Sequence, residues 1–247
     1  MADSTKLLAT AVQALPVSSL QDYGVGAVRM TNRNELVTQS ISKGRVGLAD
    51  EGSYFICTNP TPGTGIASIT AANGYDAAEA LCIIKNGNAS SGARIYLDYI
   101  KLSPTVAGTN GTNVTYATHL DPVGTRYTSG GTLYTPLSPN MASDATSGAV
   151  VHFGAVVTTA AGTNVRKIGS GNLRTSIMVV GDEYVLDFGA DGNAGASSLF
   201  EGTLICKQVV RHAPIILGPG DEFILAVNAA SQSVAASFEF EIAFWER

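Results

Sequence analysis

SFEFEIAFWE, residues 237–246, alternates with a period of two. Phe238, Phe240, Ile242 and Phe244 fall on one side of an extended chain; Glu239, Glu241 and Trp245 fall on the other. Strand side chains point alternately to the two faces, so this is the pattern of a half-buried antiparallel strand. Just upstream, APIILGPGDEFILAV (213–227) sets two apolar runs, 215–217 and 223–225, around Gly218-Pro219-Gly220-Asp221. Glycine and proline supply the dihedrals of a tight reversal there.

The same rhythm of strand and turn extends back toward the N-terminus. Apolar or half-apolar runs occupy 53–59, 80–86, 112–120, 149–158, 165–169, 174–180, 183–188 and 204–210. PTPGTG (60–65), Asn86-Gly87-Asn88 and Gly181-Asp182 punctuate them. Within 93–102, Ile95, Leu97 and Tyr99 alternate with Arg94, Tyr96 and Asp98, and then Ile100 and Leu102 fall on the wrong side. One extra residue near Tyr99, a β-bulge, would restore the alternation. Residues 122–146, with Gly130-Gly131, Pro136 and Pro139, read as a long polar surface loop. Strands at such short intervals leave no room for crossover helices. The pattern predicts an all-β fold, a jelly-roll-like antiparallel β-sandwich over residues 37–247.

Residues 1–36 break this rhythm. Leu7, Leu8, Ala11, Val12 and Leu15 are spaced for a short helix over 6–15, which Pro16 ends. With Leu7, Leu8, Val12, Leu15, Val17 and Leu20 as its apolar side chains, the segment reads as an N-terminal arm that is ordered by a partner.

Composition narrows the function. Of 247 residues, 45% are hydrophobic and only 14% are charged, against about 25% charged in average usage. Disorder, coiled coil and collagen are excluded by apolar content, by the absence of heptads and by the absence of a three-residue glycine period. The net charge is −5 and the longest basic cluster is Arg166-Lys167, so a nucleic-acid partner is not expected. No apolar run reaches the roughly 18 residues of a membrane span. MADSTK (1–6) lacks the basic region of a signal peptide, which points to synthesis in a cytoplasm. Cys57, Cys82 and Cys206 each sit inside an apolar run and read as buried thiols. Asn88, Asn110 and Asn113 begin glycosylation sequons and read as turn residues.

No reactive constellation emerges. His119, His152 and His212 are the only histidines, and no two have metal-ligand spacing. The turn around Gly218 resembles that of cupin sandwiches, but their clustered His and Glu ligands have no counterpart beside His212. Asp187-Phe188-Gly189 matches a kinase motif without its companions, and Gly169-Ser170-Gly171 lacks the rest of a dinucleotide fingerprint. Asp187, Asp191 and Asn193 offer oxygen ligands for calcium, with an Asx-rich turn as the plainer reading. Acidic pairs at Asp50/Glu51, Asp182/Glu183 and Asp221/Glu222 sit in turns. Glu239 and Glu241 share a strand face, which suits a glycosidase pair or a solvated face. Tyr96, Tyr127, Tyr134 and Trp245 are the aromatics available to a sugar platform. No catalytic residue, cofactor, metal or small-molecule substrate is therefore expected.

What stands out is the placement of charge. Intervals 52–75, 102–120, 127–143 and 145–165 contain no Asp, Glu, Lys or Arg. Interface cores are depleted in charge, so these stretches point to a subunit covered by partners. YFICTNPTPGTGIA (54–67), APIILGPGDEFILAV (213–227) and SFEFEIAFWER (237–247) together resemble the β-sandwich virion proteins of tailed bacteriophages. That resemblance implies a non-enzymatic capsid decoration or cement subunit, or a minor head protein. It further implies a homotrimer with an attachment arm, bound to the major capsid protein on the virion surface. The alternative is the receptor- or glycan-binding head of a phage fibre or spike.

Overall fold

The computed structural model describes residues 45–68, 76–88, 91–110, 112–159, 165–188 and 207–247. The arm residues Leu7, Leu8, Val12, Leu15, Val17 and Leu20 lie outside these, as do the expected 6–15 helix, Cys206 and the 189–195 stretch. The chain divides between Gly47 and Leu48 into two units. Of the first, only Arg45–Gly47 is described, the opening half of a short helix, α1 (Arg45–Asp50).

The second unit holds thirteen strands among the described residues. They are β1 (Tyr54–Thr58), β2 (Ile66–Ala67), β3 (Glu79–Asn86), β4 (Ile95–Val106), β5 (Thr112–Asp121), β6 (Tyr127–Tyr134), β7 (Ala149–Thr158), β8 (Arg166–Arg174), β9 (Glu183–Asp187), β10 (Lys207–Arg211), β11 (Ile216–Leu217), β12 (Glu222–Ala230) and β13 (Ser237–Glu246). One sheet runs β1-β13-β4-β9-β10, with β11 also on β4 and β2 on β13; the other runs β6-β7-β3-β12-β5-β8. Antiparallel pairs are nested: β5 with β8, β4 with β9, β3 with β12 and β1 with β13. A long hairpin rolled up on itself produces this nesting, so the sandwich is jelly-roll-like. Two additions depart from a plain roll. Strand β10 joins β9 in parallel, and the β6–β7 hairpin, inserted between β5 and β8, extends the β3 edge.

The alternation read in β13 is the reason the sheets stick. Phe238, Phe240, Ile242 and Phe244 are buried in the core with Phe223, Leu225, Val227 and Ala229 of β12. Phe153 of the second sheet stacks on Phe240 of the first at a centroid distance of 4.0 Å, and Phe188 meets Phe223 edge-on at 5.5 Å. The expected bulge is present. Ala243 pairs with Tyr99 and Phe244 with Leu97, so Asp98 is the extra residue and Ile100 returns to the core.

Three expectations are corrected. The loop expected over 122–146 contains strand β6. Strand β8 continues through Gly169 to Arg174. Conversely, no strand occupies 175–180, where the apolar residues sit in a turn instead. The tight reversal expected at Gly218–Asp221 is present, with the Asp221 N–H donating to the Gly218 carbonyl at 3.0 Å. It carries the chain from β11 on β4 to β12 in the opposite sheet. Asp221 accepts from the Gly218 N–H at 2.8 Å and Gly220 takes φ +89°, which fixes this corner.

The link from β5 to β6, residues 122–126, is a strap. Strand parity makes β5 and β6 parallel, with β12, β3 and β7 between them. Twist of about 20–25° per pair turns β6 nearly across β5, which lets so short a link make the crossing. Lys85 Nζ donates to the Gly124 carbonyl at 2.6 Å, and the Arg126 N–H donates to Glu222 Oε2 at 3.2 Å. Gly124 (φ +61°) lies so close to the Gly220 carbonyl that no Cβ would fit. Glu222 points away from the core that Phe223 enters, so the strap runs over the outer face. Ala80, Ile83, Val156 and Ile224 form a separate buried cluster.

Candidate functional site

The histidines are dispersed. His119 on β5 is buried opposite Ile224, and His152 on β7 stacks on Tyr127 at 4.1 Å. His212 lies between Tyr116 and Phe188, at 5.4 and 5.3 Å. Burial lowers the pKa of all three; Arg126 and Lys167 add to the effect at His119. Among the described residues no group of three or more His, Cys, Asp or Glu is placed to hold a metal. Cys57 and Cys82 are buried free thiols, as expected. Burial pushes Cys57 up to about 12 and Cys82 up as well, with Cys57 adding to the latter. Neither is an activated nucleophile.

Glu239 and Glu241 do share the outer face of the first sheet, on a shallow cleft of about 210 Å³ with Thr58, Asn59, Lys101 and Ser103. Both carboxylates are already engaged. Glu241 pairs with Lys101 at 2.8 Å and accepts from the Tyr99 hydroxyl; Glu239 accepts from the Gly63 N–H. These bonds fasten strands and the 60–65 turn together, which is structural work. The remaining acidic pairs behave likewise. Asp182 is buried and receives Arg174 and the Tyr184 hydroxyl, while Glu51 pairs with Arg247 at 3.3 Å. The candidate aromatics do not converge. Tyr96 stacks on Trp245 at 5.3 Å on the first sheet, Tyr127 lies on β6, and Tyr134 is buried against Phe240.

The strap anchors a buried polar cluster that the sequence does not announce. Glu222, Asp121 and Arg126 are all buried. Burial raises the Glu222 pKa, Asp121 raises it further, and the Arg126 N–H and Lys85 oppose the rise. Arg126 donates to the carbonyls of Ala77 (2.5 Å) and Thr159 (3.2 Å), tying the ends of β3 and β7 to the strap.

The most distinctive surface is the side formed by β6, β7 and the 135–148 loop. From residue 127 to 159 only Asp144, exposed in the loop, carries a charge. Strand β6 pairs only with β7 among the described strands, and Tyr127–Leu133 are exposed. Leu133, Leu137 (69% exposed), Met141 (97%) and Val157 present apolar side chains. Leu137 also bridges the β1 edge, exchanging bonds of 2.9 and 2.8 Å with Ile56. Of two register shifts along β6, between Tyr127 and Ser129 and between Gly130 and Thr132, the second falls where Gly130 and Gly131 take φ +75° and +64°. A bulged, twisted edge resists pairing with a stray strand. The side is thus guarded by shape where most proteins use lysine.

Comparison of the chain with protein-family models, curated proteins and solved structures finds no match.

Proposed function

We propose that this chain is a non-enzymatic structural subunit of a bacteriophage virion, which decorates or cements the capsid as a homo-oligomer, trimeric by preference. The observation that carries this reading is the side on β6, β7 and the 135–148 loop, whose one charged side chain is Asp144. A lone protein gains nothing from displaying Leu133, Leu137, Met141 and Val157 on a surface so poor in charge, whereas a subunit covered by a protein partner does. The residues available for chemistry are engaged in holding the sandwich together, which supports a structural role. The aromatics Tyr96, Tyr127, Tyr134 and Trp245 lie on β4, β6 and β13 and not on loop tips, which favours this reading over a glycan-binding head. The arm, residues 1–36, would add a second contact through Leu7, Leu8, Val12, Leu15, Val17 and Leu20. Several arms on one oligomer bind jointly through effective concentration.

The test is co-sedimentation of the purified protein with tailed-phage heads from the lysate that contains it, followed by electron cryomicroscopy. Wild-type protein should decorate the heads. A variant carrying Leu133→Glu and Met141→Glu, and a variant lacking residues 1–30, should fold yet bind poorly. Heads that never carry the protein would end the virion reading, and full occupancy by both variants would remove the proposed contacts.

A further inference from the structure

Opposite the β6–β7 side, each sheet ends in a strand with one neighbour. Among the described strands, β8 pairs only with β5, and β10 only with β9. His212 joins these two edges. It follows β10 directly, and its N–H donates to the Asp187 carbonyl at 2.7 Å, which prolongs the β9–β10 ladder. Its ring reaches the other sheet. It stacks on Phe188 with the planes 28° apart and meets Tyr116 of β5 edge-on at 79°. Both of those rings belong to the core. Beneath the imidazole lies Gly169 of β8. A Cβ there would stand 2.6 Å from His212 Cε1 and 2.7 Å from Nδ1, so the ring fills the space that a side chain would take.

One atom of the ring decides which protonation state fits. Nε2 is enclosed and has no hydrogen-bond partner among the described residues. Neutral imidazole needs an N–H on one nitrogen only, so Nε2 can stay a bare acceptor; imidazolium carries an N–H on both. Protonation therefore sets an enclosed donor without an acceptor, and a charge, between two aromatic rings. A cation over the Phe188 face recovers part of that cost. Removal from water outweighs it, and burial lowers the His212 pKa from the ordinary 6.5.

No neighbouring charge is aimed at the ring. Tyr116 of β5 is the titratable side chain that touches it, and burial raises its phenol pKa, so it stays neutral. Asp187 of β9 and Arg211 of β10 are in register with each other. Each precedes a ring on the inner side, so by strand alternation both point to the outer face. Lys167 of β8 lies opposite His119, outward as well, and Arg166 beside it is exposed. Glu183 and Lys207 stand at the far ends of β9 and β10, and Arg174 is paired with Asp182.

We infer that His212 is an acid-sensitive seal between the β8 and β10 edges: the neutral ring closes this side of the core, and the protonated ring leaves it. The effect is local. Release of His212 frees the end of β10 from the opposite sheet and uncovers Tyr116 and Phe188, while β12 and β13 stay paired on both sides. The folded pKa lies below 6.5, so the contribution of the seal is complete above pH 6.5 and is lost as pH falls from there through the folded value. The device works whatever particle the chain sits on.

The experiment is hydrogen–deuterium exchange on the full chain at pH 8 and pH 5, read as protection factors so that the intrinsic pH dependence cancels. Protection of 207–212 and 166–174 should fall by about 10-fold, within the roughly 30-fold limit that one proton sets between pH 6.5 and 5. Strand β13 should not change. His212→Phe keeps a neutral ring in the seat and should hold its protection at pH 5. Gly169→Ala pushes the ring out and should show the lower protection already at pH 8. Equal wild-type protection at both pH values overturns the inference. So does a His212→Phe variant that loosens as wild type does, or a Gly169→Ala variant as protected as wild type at pH 8. Where circular dichroism shows that a variant has not folded, NMR titration of the His212 ring in wild-type protein decides. Its titration must coincide with the loss of protection; a ring that titrates at 6.5 or above while both edges stay protected ends the reading.

Discussion

Tyr54→Phe is the sharpest test of how the first sheet is held. Tyr54 is buried on the outer face of β1, packed with Leu48 and Ala243, and its hydroxyl donates to Asp98 Oδ2 at 2.6 Å. Asp98 is the extra residue of the bulge in β4 and is fully buried. Its carbonyl accepts from the Phe188 N–H at 2.9 Å, just past the end of β9. The bulge therefore presents one residue to both neighbours: side chain to β1, across β13, and backbone toward β9. Removing the hydroxyl keeps the ring and its packing and deletes only the bond. A buried hydrogen bond to a charged acceptor contributes about 1.5–3 kcal/mol. In a domain of this size, that lowers Tm by roughly 3–12 °C. Differential scanning calorimetry of Tyr54→Phe, Asp98→Asn and the double variant gives both the loss and the coupling. A Tm change below about 1 °C, or additive single effects, would refute the view that this bond anchors the bulge.

Glu222 should act in the opposite sense. Its folded pKa lies above the ordinary 4.5 because of burial, so the folded state holds that proton more tightly than the unfolded chain. The favourable contribution is present below pH 4.5 and is lost as pH rises through the raised value. Glu222→Gln should then melt higher than wild type at pH 8, with the gap closing toward pH 4; a lower Tm than wild type at pH 8 would contradict this. Cys57 and Cys82 should resist a thiol reagent at pH 8 until denaturant is added, and rapid labelling of either in the native protein would show that the core is open. Gly131→Ala should cost more than Gly92→Ala in thermal melts. Both positions have positive φ, but a Cβ at Gly131 would stand 2.6 Å from Val156 while Gly92 has open space. Equal losses would mean that β6 does not sit tightly on β7.

The legible parts of the fold were those whose pattern is created by burial on one face. Alternation in β13 and the interrupted alternation near Tyr99 in β4 are both consequences of a core on one side, and both were readable. Strand β6 was not, because YTSGGTLY (127–134) joins β7 through its backbone with almost every side chain exposed; nothing apolar marks it. Ile177, Val179 and Val180 misled for the converse reason, being apolar on a turn that faces outward. The Gly218–Asp221 turn was readable as a turn, but the choice between a hairpin and a change of sheet depends on β4, more than a hundred residues away in the chain. Glu239 and Glu241 were correctly placed on one face, while their engagement by Lys101, Tyr99 and Gly63 depended on long-range pairing. For the same reason nothing local to Glu222 or Arg126 signalled burial. The charge-free intervals were plain in the sequence; only the fold gathers two of them onto one side.

Strand β13 lies between β1 and β4, yet among the described strands it leaves the ribosome last. Until residues 237–246 emerge, those two strands have no common neighbour. Phe223, Leu225 and Val227 then lack Phe238, Phe240, Ile242 and Phe244 among their core neighbours. Completion of the sandwich therefore waits on this strand and is slow in the manner of folds built on distant pairings. A message cut short before Ser237 would not yield a smaller version of the protein. It would yield a sandwich whose core lacks the four apolar side chains of β13, a species prone to aggregate.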